Sequence, residues 1–129
     1  MTAPVLPKTI SKKRREWLRG LKVGDQVALW DGISWSDARC TEETTTRRIY
    51  VQAVSHYPWT WVSRGKGYSV LGESVSILYY IGRIEDHARE VEVSESRREL
   101  ANVAHRFNEL TDDAIVEAAK ILRAGKRAS

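Results

Sequence analysis

The chain has 129 residues, 42% of them hydrophobic and 29% charged, with a net charge of +4 and a pI near 9.4. That suits one globular domain with an adequate core and excludes disordered and fibrous classes. The longest apolar run, Val75–Ile81, is one strand long and far short of a membrane span. Residues 1–10 lack the apolar stretch of a secretory signal, and the single cysteine, Cys40, has no intramolecular disulfide partner, so a reducing cytoplasm and no membrane association are expected.

Residues 1–20 read as a basic arm. Pro4 and Pro7 favour disorder at its start. Ser11 then caps a short helix that Gly20 ends, with Trp17 and Leu18 placed to dock on whatever follows, since so short a helix is marginal alone. Between Lys8 and Lys22, the cations Lys8, Lys12, Lys13, Arg14, Arg15, Arg19 and Lys22 face only Glu16. Residues 83–117 are net acidic and the last twelve are basic again. Such asymmetry fits an electrostatic arm and equally a solvated tail.

Residues 21–84 read as a small β-domain. Gly24-Asp25 is a turn signal, after which Val27 and Leu29 alternate with Gln26 and Ala28; Val23, Val27 and Leu29 are expected in the core. Strands are predicted near Gln26–Trp30, Ala38–Thr44, Arg47–Ala53, Trp59–Arg64 and Ser74–Tyr80. Asp31-Gly32, Ser36-Asp37, His56-Tyr57-Pro58 and Gly65-Lys66-Gly67 break the pattern between them, and a hairpin tip falls near Glu43. The fold class is therefore α+β: a small SH3-like β-barrel of four to five antiparallel strands with a basic N-terminal helix and a helical tail.

The tail covers residues 85–124. Glu85 to Val93 is polar and ambiguous. Ser94 or Ser96 is expected to cap a helix on which Leu100, Val103, Phe107 and Leu110 form one apolar stripe. Thr111 caps a second helix, with Asp112 and Asp113 in its first turn, Ile115, Ala118, Ala119 and Leu122 on its apolar face, and Gly125 at its end. The short connection predicts an αα-hairpin, free to pack on the barrel or to form a homodimer. Residues 125–129 are expected to be a disordered basic end.

No catalytic constellation is readable, so the chain is expected to be non-enzymatic, with no cofactor and no metal. His56, His87 and His105 sit in no zinc-binding pattern and read as structural or solvated. Cys40 beside Arg39 has a possible activator, but a lone strand cysteine is more often a small buried hydrophobe. Arg64-Gly65-Lys66-Gly67 lacks phosphate-loop spacing and reads as a turn presenting cations.

The aromatic residues carry the stronger signal: five tryptophans and five tyrosines against one phenylalanine. Trp59 and Trp61 share a strand face. Trp35, flanked by serines after Gly32, reads as an exposed loop anchor. Bulky residues also fill small barrels, so Trp30 and one of Trp59 and Trp61 are expected in the core. Interleaved with cations, exposed aromatics are what a single-stranded nucleic-acid surface uses; alone, they suit a protein-binding hot spot.

Four short pieces resemble a pattern shared by small, largely uncharacterised proteins of tailed bacteriophages. They are Lys22–Val27, Thr44-Thr45-Thr46 leading into Ile49-Tyr50-Val51, Trp61-Val62-Ser63-Arg64 with Gly67, and the tail Leu110–Ile115. Trp61 replaces the usual phenylalanine, and Trp35, Tyr57 and Trp59 are additions. The resemblance implies a phage accessory protein in the host cytoplasm and brings no catalytic residues with it. The expected partner is nucleic acid, held by Lys12, Lys13, Arg14, Arg15, Arg19, Arg47, Arg48, Arg64 and Lys66. The alternative is a host protein inhibited through Trp35, Trp59 and Trp61 with the acidic helix 85–99.

Overall fold

The computed structural model describes residues 3–6, 8–54, 59–104 and 106–125, the side chain of Phe107 excepted. His56 and Tyr57, His105 and residues 126–129 lie outside that range. The elements in order are α1 (Lys12–Gly20), β1 (Gln26–Trp30), β2 (Trp35–Cys40), β3 (Arg48–Ala53), β4 (Trp59–Ser63), β5 (Tyr68–Leu71), β6 (Ile77–Gly82), a 3-10 turn (Ile84–His87), α2 (Ala88–Ala104), a second 3-10 turn (Phe107–Glu109) and α3 (Asp112–Ala124).

The six strands form one antiparallel sheet in the order β4-β3-β2-β1-β6-β5. Its ends curl toward each other until the Ser69 hydroxyl donates to the Trp61 carbonyl at 2.6 Å, giving a nearly closed barrel. Four to five strands were expected, and β5 is the addition. The Arg64–Gly67 turn is tight: Gly67 sits at φ 76°, and its N–H donates to the Ser63 carbonyl at 2.6 Å. The chain therefore reverses at once and Tyr68 pairs with Tyr80. A second turn after Leu71 delays the last strand to Ile77–Gly82, three residues past the predicted start.

The sheet has two differently filled faces. Inside the barrel lie Val27, Leu29, Ala38, Cys40, Ile49, Val51, Val62 and Ile81, with Leu18 of α1 and Leu21 closing the cluster. The expected docking of Trp17 and Leu18 is realised: Leu18 is fully buried and Trp17 packs against the cluster. Ser11 caps α1 as expected, accepting from the Arg14 N–H at 3.1 Å. On the outer face a second cluster joins Ala28, Trp30, Trp35 and Val91, with Leu78, Tyr80 and Ile84 packed against it.

The outer face and the start of α2 overturn three expectations. Trp35 is not an exposed anchor; it opens β2 directly opposite Trp30 and is only 1% exposed. Its ring stacks on His87 at 3.9 Å and meets Tyr80 edge-on at 6.0 Å. Ala28 is fully buried although its alternation marked it as outward, because Val91 and both tryptophans cover that side. Ser94 is not a helix cap: α2 starts at Ala88, and Ser94 is buried on its inner side. Val23 is a fourth correction, lying in the turn before β1 and exposed rather than in the core.

The chain divides into two compact units, Met1–Glu95 and Ser96–Ser129. The first holds the barrel, α1 and the start of α2. In the second, the predicted apolar stripe is broken: α2 ends at Ala104, a 3-10 turn takes Phe107–Glu109, and Leu100 is exposed. The Thr111 cap is as expected, its hydroxyl accepting from the Ala114 N–H at 3.2 Å, and Gly125 closes α3. No residue of α3 is buried.

Candidate nucleic-acid interface

Two of the nine cations expected to contact phosphate, Arg14 and Arg64, fasten α1 to the barrel. Arg64 Nη1 donates to the carbonyls of Leu18 at 2.8 Å, Leu21 at 2.9 Å and Arg19 at 3.4 Å, and its Nε donates to Thr45 at 3.0 Å. It thus satisfies the carbonyls that the end of α1 leaves open, placing a cation at the negative end of the helix dipole. Arg14 Nη2 donates to the carbonyls of Ile81 at 2.8 Å, Gly67 at 3.3 Å and Lys66 at 3.4 Å, with Tyr80's ring centroid 4.4 Å from its Cζ. Gly67 permits this approach, since a Cβ there would collide with the Arg14 guanidinium. Both arginines join α1 to the barrel, which explains why a nine-residue helix is stable there.

The other seven cations lie at the surface. Lys12, Lys13, Arg15 and Arg19 are exposed on α1, with Lys12 only 4.0 Å from Glu16 at the surface. Lys66 is exposed in the β4–β5 turn, its Nζ 5.9 Å from the centroid of the Tyr68 ring. Arg47 and Arg48 are exposed at the start of β3.

Register gathers the aromatics on the outer face of β3 and β4. Tyr50 lies opposite Trp61, Gln52 opposite Trp59 and Arg48 opposite Ser63, while Arg39 of β2 lies opposite Gln52. Paired residues point to one side of a sheet, so these side chains share a surface. The Arg48 Cζ lies 4.0 Å from the Trp61 ring centroid, and the Tyr50 and Trp59 rings stand 5.7 Å apart, tilted by 36°. Trp59 is 50% exposed, whereas Trp61 and Tyr50 are half-buried. Neither Trp59 nor Trp61 joins the core clusters, contrary to the expectation that one of them would, because the odd-numbered positions of β4 face outward while Thr60 and Val62 face in. Of the three tryptophans expected at a binding surface, Trp59 and Trp61 lie on this outer face and Trp35 is buried.

A second grouping was not read from the sequence. Tyr80 and Arg14 together line two cavities. One, of about 270 Å³, also involves Lys13, Trp17, Arg83, Asp86 and His87; the other, of about 220 Å³, involves Lys8, Ile10, Lys66 and Tyr68. Strand parity carried part of this signal, since Tyr80 alternates with the core residue Ile81, but the approach of α1 did not show in any local pattern. Burial holds the His87 imidazole below its ordinary pKa of 6.5, with Arg14 adding to the effect and Glu90 and Asp86 opposing it.

No known protein family, curated protein or solved structure matches this chain.

The remaining groups have little reactive chemistry. Cys40 is buried in the barrel, and desolvation, helped by Asp25 and opposed by Arg64, pushes its thiol up to about 11. Arg39, the suspected activator, points outward and donates to the Gly24 carbonyl at 3.3 Å. Among the described residues, no three His, Cys, Asp or Glu side chains gather as a metal site, and no helix is long and apolar enough to cross a membrane.

Proposed function

We propose that this protein is a non-enzymatic, SH3-like-barrel protein that binds single-stranded nucleic acid, with bases stacked on the outer face of β3 and β4 and phosphates held by the free cations of the arm. The observation that carries this reading is the Arg48–Trp61–Tyr50–Trp59 row. It is a strip of rings at the surface, with a guanidinium already lying on one of them. Bases stack on such rings with little regard to sequence, and nearby cations supply a salt-dependent term. Arg39, Arg47 and Arg48, with Lys12, Lys13, Arg15, Arg19 and Lys66 of the arm and turn, are the proposed contacts to the strand's phosphates; Arg64 and the Nη2 of Arg14 hold α1 in place. In the phage setting implied by its motifs, the protein would work in the host cytoplasm.

The test is tryptophan fluorescence during titration with single-stranded DNA and RNA oligomers at several salt concentrations. Trp59→Ala is expected to weaken binding by about 1–3 kcal/mol. Neutralising Lys12, Lys13, Arg15 and Arg19 together should flatten the salt dependence. Absence of binding to any oligomer at low salt would falsify the proposal.

A host-protein inhibitor is the alternative. Burial of Trp35 removes one of its three anchors, leaving Trp59 and Trp61 with the acidic residues of α2. For the tail we propose self-association. Ile115, Val116, Ile121 and Leu122 of α3 are exposed, and its acidic first half (Asp112, Asp113, Glu117) complements its basic second half (Lys120, Arg123) in an antiparallel pair of copies.

A further inference from the structure

Arg14 is a partly desolvated cation with no carboxylate partner among the described residues. Burial lowers its pKa despite the opposing influence of Tyr80. Its hydrogen bonds to main-chain carbonyls all leave from Nη2, so Nε and Nη1 make none among the described residues. The cavity of about 220 Å³ beside it brings in Lys8, Lys66, Tyr68 and Tyr80, with no carboxylate in its lining. The adjoining cavity of about 270 Å³ adds Lys13 and Arg83 against Asp86, and Arg83 also lies 3.4 Å from Glu85 at the surface. Positive charge therefore converges on one half-buried guanidinium whose remaining donors are available.

We infer that the Arg14 cavity is a seat for a terminal phosphate monoester, the end group of an oligonucleotide or of a free nucleotide. A phosphate monoester at neutral pH carries a charge of about −1.5 to −2 and three acceptor oxygens. Three cations and the planar donors of an arginine suit that group better than the single charge of an internal diester. A space of this size, below the ~300–1,000 Å³ of pockets for drug-sized ligands, takes one phosphate and not a continuous strand. The inference rests on the nucleic-acid reading only for the source of the phosphate. The seat lies at α1, β5 and β6, and the stacking row at β3 and β4; Lys66 serves both, so the ratio of phosphorylated to hydroxyl-ended strand, rather than overall affinity, reads the seat.

The experiment compares one oligonucleotide carrying a 5′-phosphate, a 3′-phosphate or hydroxyl ends, and follows the Arg14 Nε–H and His87 signals by NMR during titration with inorganic phosphate and a nucleoside 5′-monophosphate. At least one phosphorylated form should bind about tenfold tighter than the hydroxyl-ended strand, a gap of about 1.4 kcal/mol. Inorganic phosphate should move the Arg14 Nε–H resonance and raise the His87 pKa. Lys8→Gln with Lys66→Gln should bring the ratio close to one in a protein whose circular dichroism is unchanged, whereas Trp59→Ala should weaken all three strands alike and keep the ratio. Equal affinity for all three strands together with an unmoved Arg14 resonance overturns the inference while leaving strand binding intact. Phosphate and nucleotide binding without any oligonucleotide binding upholds the seat, assigns it to a free nucleotide and removes the nucleic-acid reading.

Discussion

Replacing Arg64 by methionine removes a guanidinium, keeps most of the aliphatic stem, and tests what holds α1 to the barrel. Three short hydrogen bonds are lost, to the carbonyls of Leu18 at 2.8 Å, Leu21 at 2.9 Å and Thr45 at 3.0 Å. The Leu18 carbonyl keeps only the Leu21 N–H at 3.4 Å. Hydrogen bonds to a charged group contribute about 1.5–3 kcal/mol each. Two of these share one nitrogen, and water can reach Thr45, so the lower bound applied to two bonds is appropriate: a loss of about 3 kcal/mol. For a chain of this size that lowers the melting temperature by roughly 10–15 °C. Circular dichroism melts give the shift, and Trp17 fluorescence reports whether α1 has left the barrel. Arg64→Lys keeps the charge but not the fork, and should recover less than half of the loss. If Arg64→Met melts within about 2 °C of the parent, Leu18 packing alone holds α1 and the fastening argument is wrong. In a binding assay, Arg64→Lys should leave the slope of affinity against salt unchanged, because Arg64 makes no phosphate contact.

Trp35→Ala should cost about 3–5 kcal/mol in urea unfolding, whereas the half-exposed Trp59→Ala should cost under about 1 kcal/mol; similar costs would contradict the assignment of the two rings to core and surface. Cys40 should resist a thiol reagent at pH 8 until the protein unfolds. Because its folded pKa of about 11 exceeds the ordinary 9.0, the unfolded chain loses the proton first; this contribution to stability is complete below pH 9 and is lost as pH rises through 11. His87 has the opposite sign. Its pKa is depressed, so its contribution is complete above 6.5 and is lost as pH falls through its lower folded value; an NMR titration midpoint at or above 6.5 would contradict the packing against Trp35. Light scattering should find a dimer that Ile121→Glu with Leu122→Glu converts to monomer, and a parent protein that is monomeric at high concentration counts against α3 pairing.

Local chemistry alone determined several elements. Ser11 and Thr111 cap the helices expected of them because a hydroxyl one residue before a helix meets its free N–H groups. The Gly24-Asp25 turn and the inward side of Val27 and Leu29 followed from turn chemistry and strand parity, and Cys40 is the small buried hydrophobe its strand position implied. Parity also put Trp59 and Trp61 on one face.

Only the tertiary structure decided which face met another layer. Alternation specifies two sides of a strand but not what covers them, so Ala28 and Trp35 could not be recognised as buried before Val91 of α2 was known to lie over them. Arg14 looked like its neighbours in a run of cations, and Arg64 like an exposed cation at a turn. Their roles come from main-chain carbonyls 43 to 67 residues away in the chain, which the barrel turns bring to α1. The same long-range closure placed Tyr68 and Tyr80 beside Arg14, and so created a cationic cavity that no stretch of the sequence contains on its own.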